Sequence, residues 1–380
     1  SVQGAGVNDA VQRLKAAVAG RRVAVVHEWV DAYAGSEQVF EALAQLLPDA
    51  DLFALSVTPG IDLDVGGRDI TTTALDTDQW RDRRGLTLPA MPWAWRQLGR
   101  RDYDVVITSH HAFAHTHRLT RPGGTHLAYV HSPARYIWSP DIDERGGGAG
   151  LAPARALLRR VDRKASQRVD AYAVNSVAVA DRVRAFWARE STVINPPVRV
   201  DYFSKGRTDS PTRDYILGMG RWIPYKNLHV VVEAADLLGM PVKIAGRGPD
   251  RSRIEAAAAA ASVPVELIES PNDDELRDLY ANAACLVFPT VEDFGMVPVE
   301  AQATGTPVVA LAAGGALETV VDGVSGAFAQ DSTPDAIAAA ARRAMTLDPE
   351  GPSTHAERFS QEAFSSAVAT WIVASLEVRT

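Results

Sequence analysis

Cysteine is nearly missing from the chain: its 380 residues hold one, Cys285, so no disulfide can close within it and nothing opposes a reducing compartment. Cys285 sits in the apolar run "CLVFP" and is expected to be a buried strand residue rather than a nucleophile. No apolar run approaches the roughly eighteen residues that a membrane-spanning helix needs, so the expectation is a protein in solution. The first twenty residues lack the charged start and long apolar core of a secretory leader; with Ser at position 1, a leader already removed stays open. A basic surplus is absent too: 39 Lys and Arg face 47 Asp and Glu, a net charge of −8, which argues against nucleic acid as a partner. Solenoid-length repeats are lacking. So is Gly-x-Gly-x-x-Gly after an early strand, in both "RVAVVHEWVDAYAG" and "YILGMGRWIPYKN", which counts against a nicotinamide oxidoreductase. The nearest approach to an Asp-x-Asp metal cluster is "DID" at 141–143, and no metal site is expected.

What is present is alternation. Short β-branched runs, at 22–27, 51–55, 104–109, 126–131, 170–176 and 192–195, are separated by helical patterns such as "SEQVFEALAQLL", where Ser36 is placed to cap and Val39, Leu43, Leu46 and Leu47 form a stripe. The segment 195–214 mixes prolines, charges and small polar residues without a period, as a connection between domains does. The alternation then restarts at 215–220, 242–246, 265–269, the "CLVFP" run and 307–311, with a further βα step. The fold class is therefore α/β, two doubly wound Rossmann-like domains facing across a cleft. The last stretch, 355–378, reads as one long helix or a bent pair whose Phe359, Phe364, Trp371 and Ile372 suit a buried seam.

Ligands of open parallel sheets collect beyond the carboxyl ends of the strands, where helix N-termini present unpaired N–H groups. Three successive crossings in the second half carry matching chemistry. "GRWIPYKN" brings Gly220, Arg221 and Lys226, a cation pair suited to a diphosphate. "GRGP" brings Gly246 and Gly248, which let backbone approach a ligand closely. "VEDFGMVPVE" sets Glu292 and Glu300 around Phe294, Gly295 and Met296, whose main-chain N–H groups lie between two carboxylates suited to sugar and ribose hydroxyls. Pro298 is expected at the first helical position, with Glu300 in the first turn and Gly305 at the end. For each acid the plain alternative is a dipole-stabilising or solvated carboxylate.

These motifs, with the continuation "AQATGTPVVALAAGGALETVVDGVSG", resemble the donor-binding half of the retaining glycosyltransferases of family 4, whose signature is Glu, seven residues, Glu. "VVHEWVDAYAGSEQVFEAL", "TSHHAFAH", "HLAYVHSPARYIWSP" and "AVNSVAVADRVRAFW" are similar to the bacterial mannosyltransferase subgroup of surface-polysaccharide assembly, so the likeness runs from Arg21 to Trp371. It implies the GT-B architecture: an acceptor-binding domain at 1–203, a nucleotide-sugar domain at 204–354 and a C-terminal helix, 355–380, crossing back. It also implies roles. Arg221 and Lys226 hold the donor diphosphate, Glu292 the transferred sugar and Glu300 the ribose, while Gly35 lets the first domain approach the diphosphate. His131 lies where relatives place a histidine beside the reacting sugar, and His111 and Arg135 are candidates for the acceptor, with Tyr136 and Trp138 beside them. The sequence departs from the subgroup at Ala34-Gly35 for a double glycine, at Glu28 for Asp, at the additional His110 and at His115 for lysine.

The implied reaction moves a hexosyl group, mannosyl from GDP-mannose in the first instance, from a nucleotide diphosphate sugar to a hydroxyl of a glycan or lipid-linked acceptor, with retention and without cofactor or metal. A cytoplasmic location is expected. "MPWAWRQLGRRDYD" (91–104), with Trp93, Trp95, Leu98, Arg96, Arg100 and Arg101, is either a membrane-surface helix at the inner face or a helix packed on the sheet. A sugar epimerase of similar architecture and a non-catalytic nucleotide-sugar-binding partner are the rival readings.

Overall fold

A computed structural model of the chain describes residues 2–81, 87–99, 101–138, 152–207 and 211–378; the "DID" acids and Arg100 lie outside them. The described residues form two compact units, one of residues 1–197 with 362–380 and one of residues 198–361.

The first unit holds a seven-stranded sheet: β1 (Val23–His27), β2 (Asp51–Ala54), β3 (Ile70–Thr72), β4 (Tyr103–His110), β5 (Thr120–Val130), β6 (Ala171–Val174) and β7 (Thr192–Val193). Every pairing is parallel, in the order β3-β2-β1-β4-β5-β6-β7. Parallel strands are covered on both faces, so they read as unbroken apolar runs. In β1, Val23 and Val25 enter one core while Ala24 and Val26 enter another, the two-residue alternation of a strand. β3 and the start of β5 were not legible as strands: "ITT" is too short, and Pro122 with Gly123 and Gly124 interrupts the other.

The second unit repeats the plan with β8 (Tyr215–Met219), β9 (Val242–Gly246), β10 (Val265–Glu269), β11 (Ala283–Phe288), β12 (Val308–Leu311) and β13 (Gly326–Ala329), ordered β10-β9-β8-β11-β12-β13 and again parallel. Cys285 is fully buried in β11, and burial pushes its thiol up to about 12. Local signals set the helices between strands. Asn272 accepts from the Glu275 N–H at 3.0 Å while Glu275 accepts from the Asn272 N–H at 2.8 Å, a reciprocal cap for the helix Asp273–Asn282. Thr333 caps Pro334–Ala344, with proline in the first turn where no N–H is missed.

The units change over at 197/198 and 361/362, several residues from the expected 203/204 and 354/355. Packing gives the reason: Val198, Val200 and Phe203, like Ala356 and Phe359, are buried in the core of the second unit. The C-terminal stretch is bent rather than continuous: helix Glu350–Ala356, a 3₁₀ turn at Glu357–Phe359, then helix Gln361–Glu377. That last helix returns to the first unit, burying Phe364, Val368, Trp371 and Ile372 against β1, β4 and β5 residues. Each such side chain contributes about 1.5–3 kcal/mol on burial, which holds it there.

Candidate functional site

In both sheets the chain turns from one direction to the other beside the first strand, between β1 and β4 and between β8 and β11, and crevices at strand carboxyl ends form at such points. The candidate residues fall at or next to these two places, after β1, β4 and β5 in the first unit and after β8, β9 and β11 in the second.

In the second unit β8 ends at Met219 and passes through Gly220 and exposed Arg221 into the 3₁₀ turn Pro224–Lys226. Lys226 is nearly buried, lies 5.1 Å from the Phe288 ring centroid, and donates from Nζ to Glu292 Oε1. The expected diphosphate cation and the expected sugar carboxylate are thus partners of each other. Arg221 has a long contact, 3.5 Å, to the Tyr225 hydroxyl. Gly246 (φ +135°) and Gly248 (φ +156°) are held in a region side chains avoid, and a Cβ on them would stand 1.9 Å from the Gly220 carbonyl oxygen and 2.3 Å from that of Trp222. Only glycine lets these turns lie so close together.

After β11, the Glu292 carbonyl accepts from the Gly315 N–H at 2.8 Å, fixing the loop that carries the carboxylate. Phe294 is buried, and Gly295, at φ +84°, opens the helix Met296–Ala303. The helix therefore starts two residues before Pro298, and Glu300 falls in its second turn rather than its first, too far along for a first-turn dipole role. Gly305 does end it, at φ +84°. Half-buried Glu300 accepts from the hydroxyl of fully buried Tyr280 at 3.0 Å. Burial pushes the Glu300 carboxyl up and the tyrosine opposes it. Tyr280 carried no sequence signal, because its relation to Glu300 exists only once two helices pack.

In the first unit the helix after β1 is Gly35–Leu46, with Ala34 at the cap position. Gly35 is its first residue, so Ser36 lies inside the first turn and does not cap; its hydroxyl donates to Glu37 Oε2 at 2.7 Å. His27 and Ser109 face each other in the β1–β4 register. The Ser109 hydroxyl lies 3.1 Å from His27 Nδ1 and 2.8 Å from His131 Nε2, so one serine joins two imidazoles. Burial lowers the pKa of both rings to about 3. The main chain of His131 donates its N–H to the His110 carbonyl at 3.0 Å, and its carbonyl accepts from Asn175 Nδ2 at 3.0 Å. His111 is half-buried, edge-on to Trp29 at 4.4 Å and 6.1 Å from His131. His27 and Ser109 were missed in the sequence, where each reads as an ordinary strand end.

Glu28 is fully buried and accepts from the N–H groups of Ala112, Phe113 and Ala114 at 3.0, 3.1 and 2.9 Å and from Trp95 Nε1 at 3.3 Å. Burial pushes its carboxyl up and these donors oppose that. It anchors the loop after His111. Trp95 is thereby core, and in the helix Met91–Gln97 it is Trp93 that is exposed. Arg135 opens the short helix Arg135–Trp138 and contacts the Ser132 hydroxyl at 3.4 Å. Its neighbours are packing residues: Tyr136 is buried against Phe113, and Trp138 stacks on Phe186 and donates to Asp162 at 2.7 Å. His110 and His115 are also fully buried, 4.5 Å apart beside Trp187.

No cluster of His, Cys, Asp or Glu able to hold a metal ion occurs among the described residues, and no described helix is long and apolar enough to cross a membrane.

Two family models match the chain in succession: Glycosyltransferase Family 4 over residues 33–202 and Glycosyl transferases group 1 over residues 203–365. Among curated proteins, a D-inositol 3-phosphate glycosyltransferase of Mycolicibacterium smegmatis is 33% identical over 201 residues, 47% of this chain and 46% of that protein. One of Salinispora tropica is 35% identical over 189 residues, 43% of this chain and 39% of that protein. The matched part spans about half the length of these relatives or less. Of solved structures, Anabaena HepE in complex with UDP is 15% identical with a TM-score of 0.67, covering 93% of this chain and all of that one. Sucrose-phosphate synthase of Thermosynechococcus elongatus is 19% identical with a TM-score of 0.67, covering 94% and 97%. At such identity the likeness speaks for the fold, which is GT-B with two Rossmann-like domains. With a family 4 domain followed by a group 1 domain on that fold, the chain belongs to the glycosyltransferases of family 4.

Proposed function

We propose that the protein transfers a hexosyl group from a nucleotide diphosphate sugar to a hydroxyl of a glycan or lipid-linked acceptor, retaining the anomeric configuration and using no metal. The observation that carries the reading is the grouping of Lys226, Glu292, Glu300 and the Gly246–Gly248 turn at the carboxyl ends of β8, β9 and β11. Arg221 and Lys226 take the diphosphate, Glu300 the ribose and Glu292 the sugar, with the N–H groups that open the helix Met296–Ala303 beside them. In the first domain Gly35 and His131 follow the carboxyl ends of β1 and β5, and His111 and Arg135 take the acceptor. The acceptor oxygen bonds to the anomeric carbon as the carbon–phosphate oxygen bond breaks, and the acceptor proton passes to the departing phosphate oxygen. The cations stabilise the charge that develops there; removing one such group costs about two to three orders of magnitude in rate.

The subgroup likeness favours mannose from GDP-mannose. A second reading of the substrates is favoured by the relatives: HepE is solved with UDP, and the curated ones are named for D-inositol 3-phosphate, a phosphorylated polyol. A thermal-shift panel of GDP-, UDP- and dTDP-sugars, followed by transfer assays with the stabilising donor, decides between them, since a ligand of the folded form raises its melting point. Product with an inverted anomeric centre, or turnover lost to chelators, would remove the retaining, metal-free mechanism. Consumption of donor without acceptor would point to an epimerase.

A further inference from the structure

The opposite edge of the first sheet, where β5 and β6 begin, holds a polar cavity of about 390 Å³. Its wall includes Arg118, Arg121, Arg168, His117, His126 and Asp170. Since the strands are parallel, this edge is separated from His131 by the length of β5 from Thr125 to Val130, roughly 17–20 Å at about 3.3 Å per residue.

Positive charge there is not matched. Asp170 is the single acid on the wall, and its Oδ2 accepts from the backbone N–H of His126 at 2.7 Å. Arg121 donates from Nε to Asp104, outside the wall. Neither Arg118 nor Arg168 lies within ion-pair distance of a carboxylate among the described residues, whereas Arg121 beside them is paired. Burial lowers the pKa of Arg168, and the nearby charges of Arg96 and Arg118 lower it further.

Neutral donors line the same cavity. His117 Nδ1 accepts from the Leu119 N–H at 3.1 Å, so the ring proton is on Nε2, 3.0 Å from Thr108 Oγ1. That hydroxyl then donates to His126 Nε2 at 2.9 Å, which leaves His126 with its proton on Nδ1. Burial keeps both rings uncharged, with the His117 pKa lowered to about 3. Thr120, also on the wall, has a buried hydroxyl with no partner.

We propose that this cavity is a binding site for a phosphate monoester. Arg118 and Arg168 match its two negative charges, and His126 Nδ1–H and the Thr120 hydroxyl donate to its remaining oxygens. A tetrahedral dianion presents three strongly accepting oxygens and about two negative charges, which matches two arginines and two neutral donors better than a singly charged carboxylate does. The volume leaves room for the rest of a small molecule, and the site is independent of the donor and acceptor readings above.

The test uses the full chain. Inorganic phosphate and glycerol 3-phosphate are titrated at low salt while the ring Cε1–H signals of His117 and His126 are followed by NMR, in wild type and in Arg118→Gln/Arg168→Gln. Both signals should move on saturation in the wild type, with affinity at least tenfold weaker in the variant. Phosphate bound at the donor site leaves these two rings still, so it is not mistaken for occupancy. An unchanged urea midpoint shows that the variant is folded. A parallel arm measures co-sedimentation with phosphatidic acid vesicles against phosphatidylcholine vesicles. Arginine-dependent binding there, without a response to soluble phosphate, identifies the monoester as a lipid headgroup; response to glycerol 3-phosphate identifies a free metabolite. Unmoved ring signals together with vesicle binding indifferent to the arginines, or equal affinities in the two proteins, overturn the proposal.

Discussion

The contact between Lys226 and Glu292 makes an unusual demand on the donor. If the diphosphate takes the Lys226 ammonium, it must first displace Glu292, whose side chain is 27% exposed against 7% for the lysine. A hydrogen bond between charged groups contributes about 1.5–3 kcal/mol net, and partial exposure of the carboxylate reduces that. Glu292→Gln removes the competing charge and should therefore tighten a nucleoside diphosphate by about 3–10-fold, each 1.4 kcal/mol being tenfold. The same variant should lose turnover, because the sugar contact goes with the carboxylate. Lys226→Ala should weaken the diphosphate and slow turnover by about two to three orders of magnitude. The double variant should bind like Lys226→Ala alone, since the effect of Glu292 on the diphosphate passes through the lysine. Calorimetric titration of the four proteins with UDP and GDP gives the cycle directly. Weakening by Glu292→Gln comparable with that of Lys226→Ala, or simple additivity in the double variant, would refute the reasoning.

Three further outcomes are expected. Tyr280→Phe deletes the hydrogen bond to Glu300 with little change of shape; a loss of about 1 kcal/mol should weaken nucleotide binding roughly fivefold, and calorimetry showing none would remove Tyr280 as a positioning residue. Glu28→Gln keeps one accepting oxygen where two now serve four donors, so it should cost about 2–4 kcal/mol, read as a lower urea midpoint; an unchanged midpoint would show that the loop after His111 does not depend on it. His27, His117 and His131 have folded pKa values lowered from 6.5 to about 3, so below pH 6.5 the unfolded chain takes up protons that the folded one refuses. Stability from these rings is complete above pH 6.5 and is lost as pH falls toward 3. Urea midpoints should therefore drop between pH 6.5 and 4, less steeply in His117→Asn, and a slope equal to wild type in that variant would contradict the assignment.

The division of information between chain and fold can be seen residue by residue. The parallel α/β plan was legible because strands buried on both faces must be apolar throughout, as "VAVVH" and "AACLVF" are. The glycines, cations and acids after β8, β9 and β11 were legible because turn chemistry is local, and so was the Asn272 cap. Boundaries were less so: one helix begins at Met296 rather than Pro298, and another at Gly35 with Ser36 inside it, because the first helical residue depends on how the preceding loop is held.

What tertiary structure alone decided are the contacts between residues far apart in the chain. Lys226 and Glu292 are 66 positions apart, His27 and Ser109 82, and Glu28 reaches N–H groups 84 to 86 positions on. The sequence by itself determined which chemical groups would arrive at the carboxyl edge of each sheet, since a strand delivers whatever follows it. Which of those groups would pair, be buried or stay open depended on strand order and register, and these are settled only when separate segments compete to cover the same apolar faces.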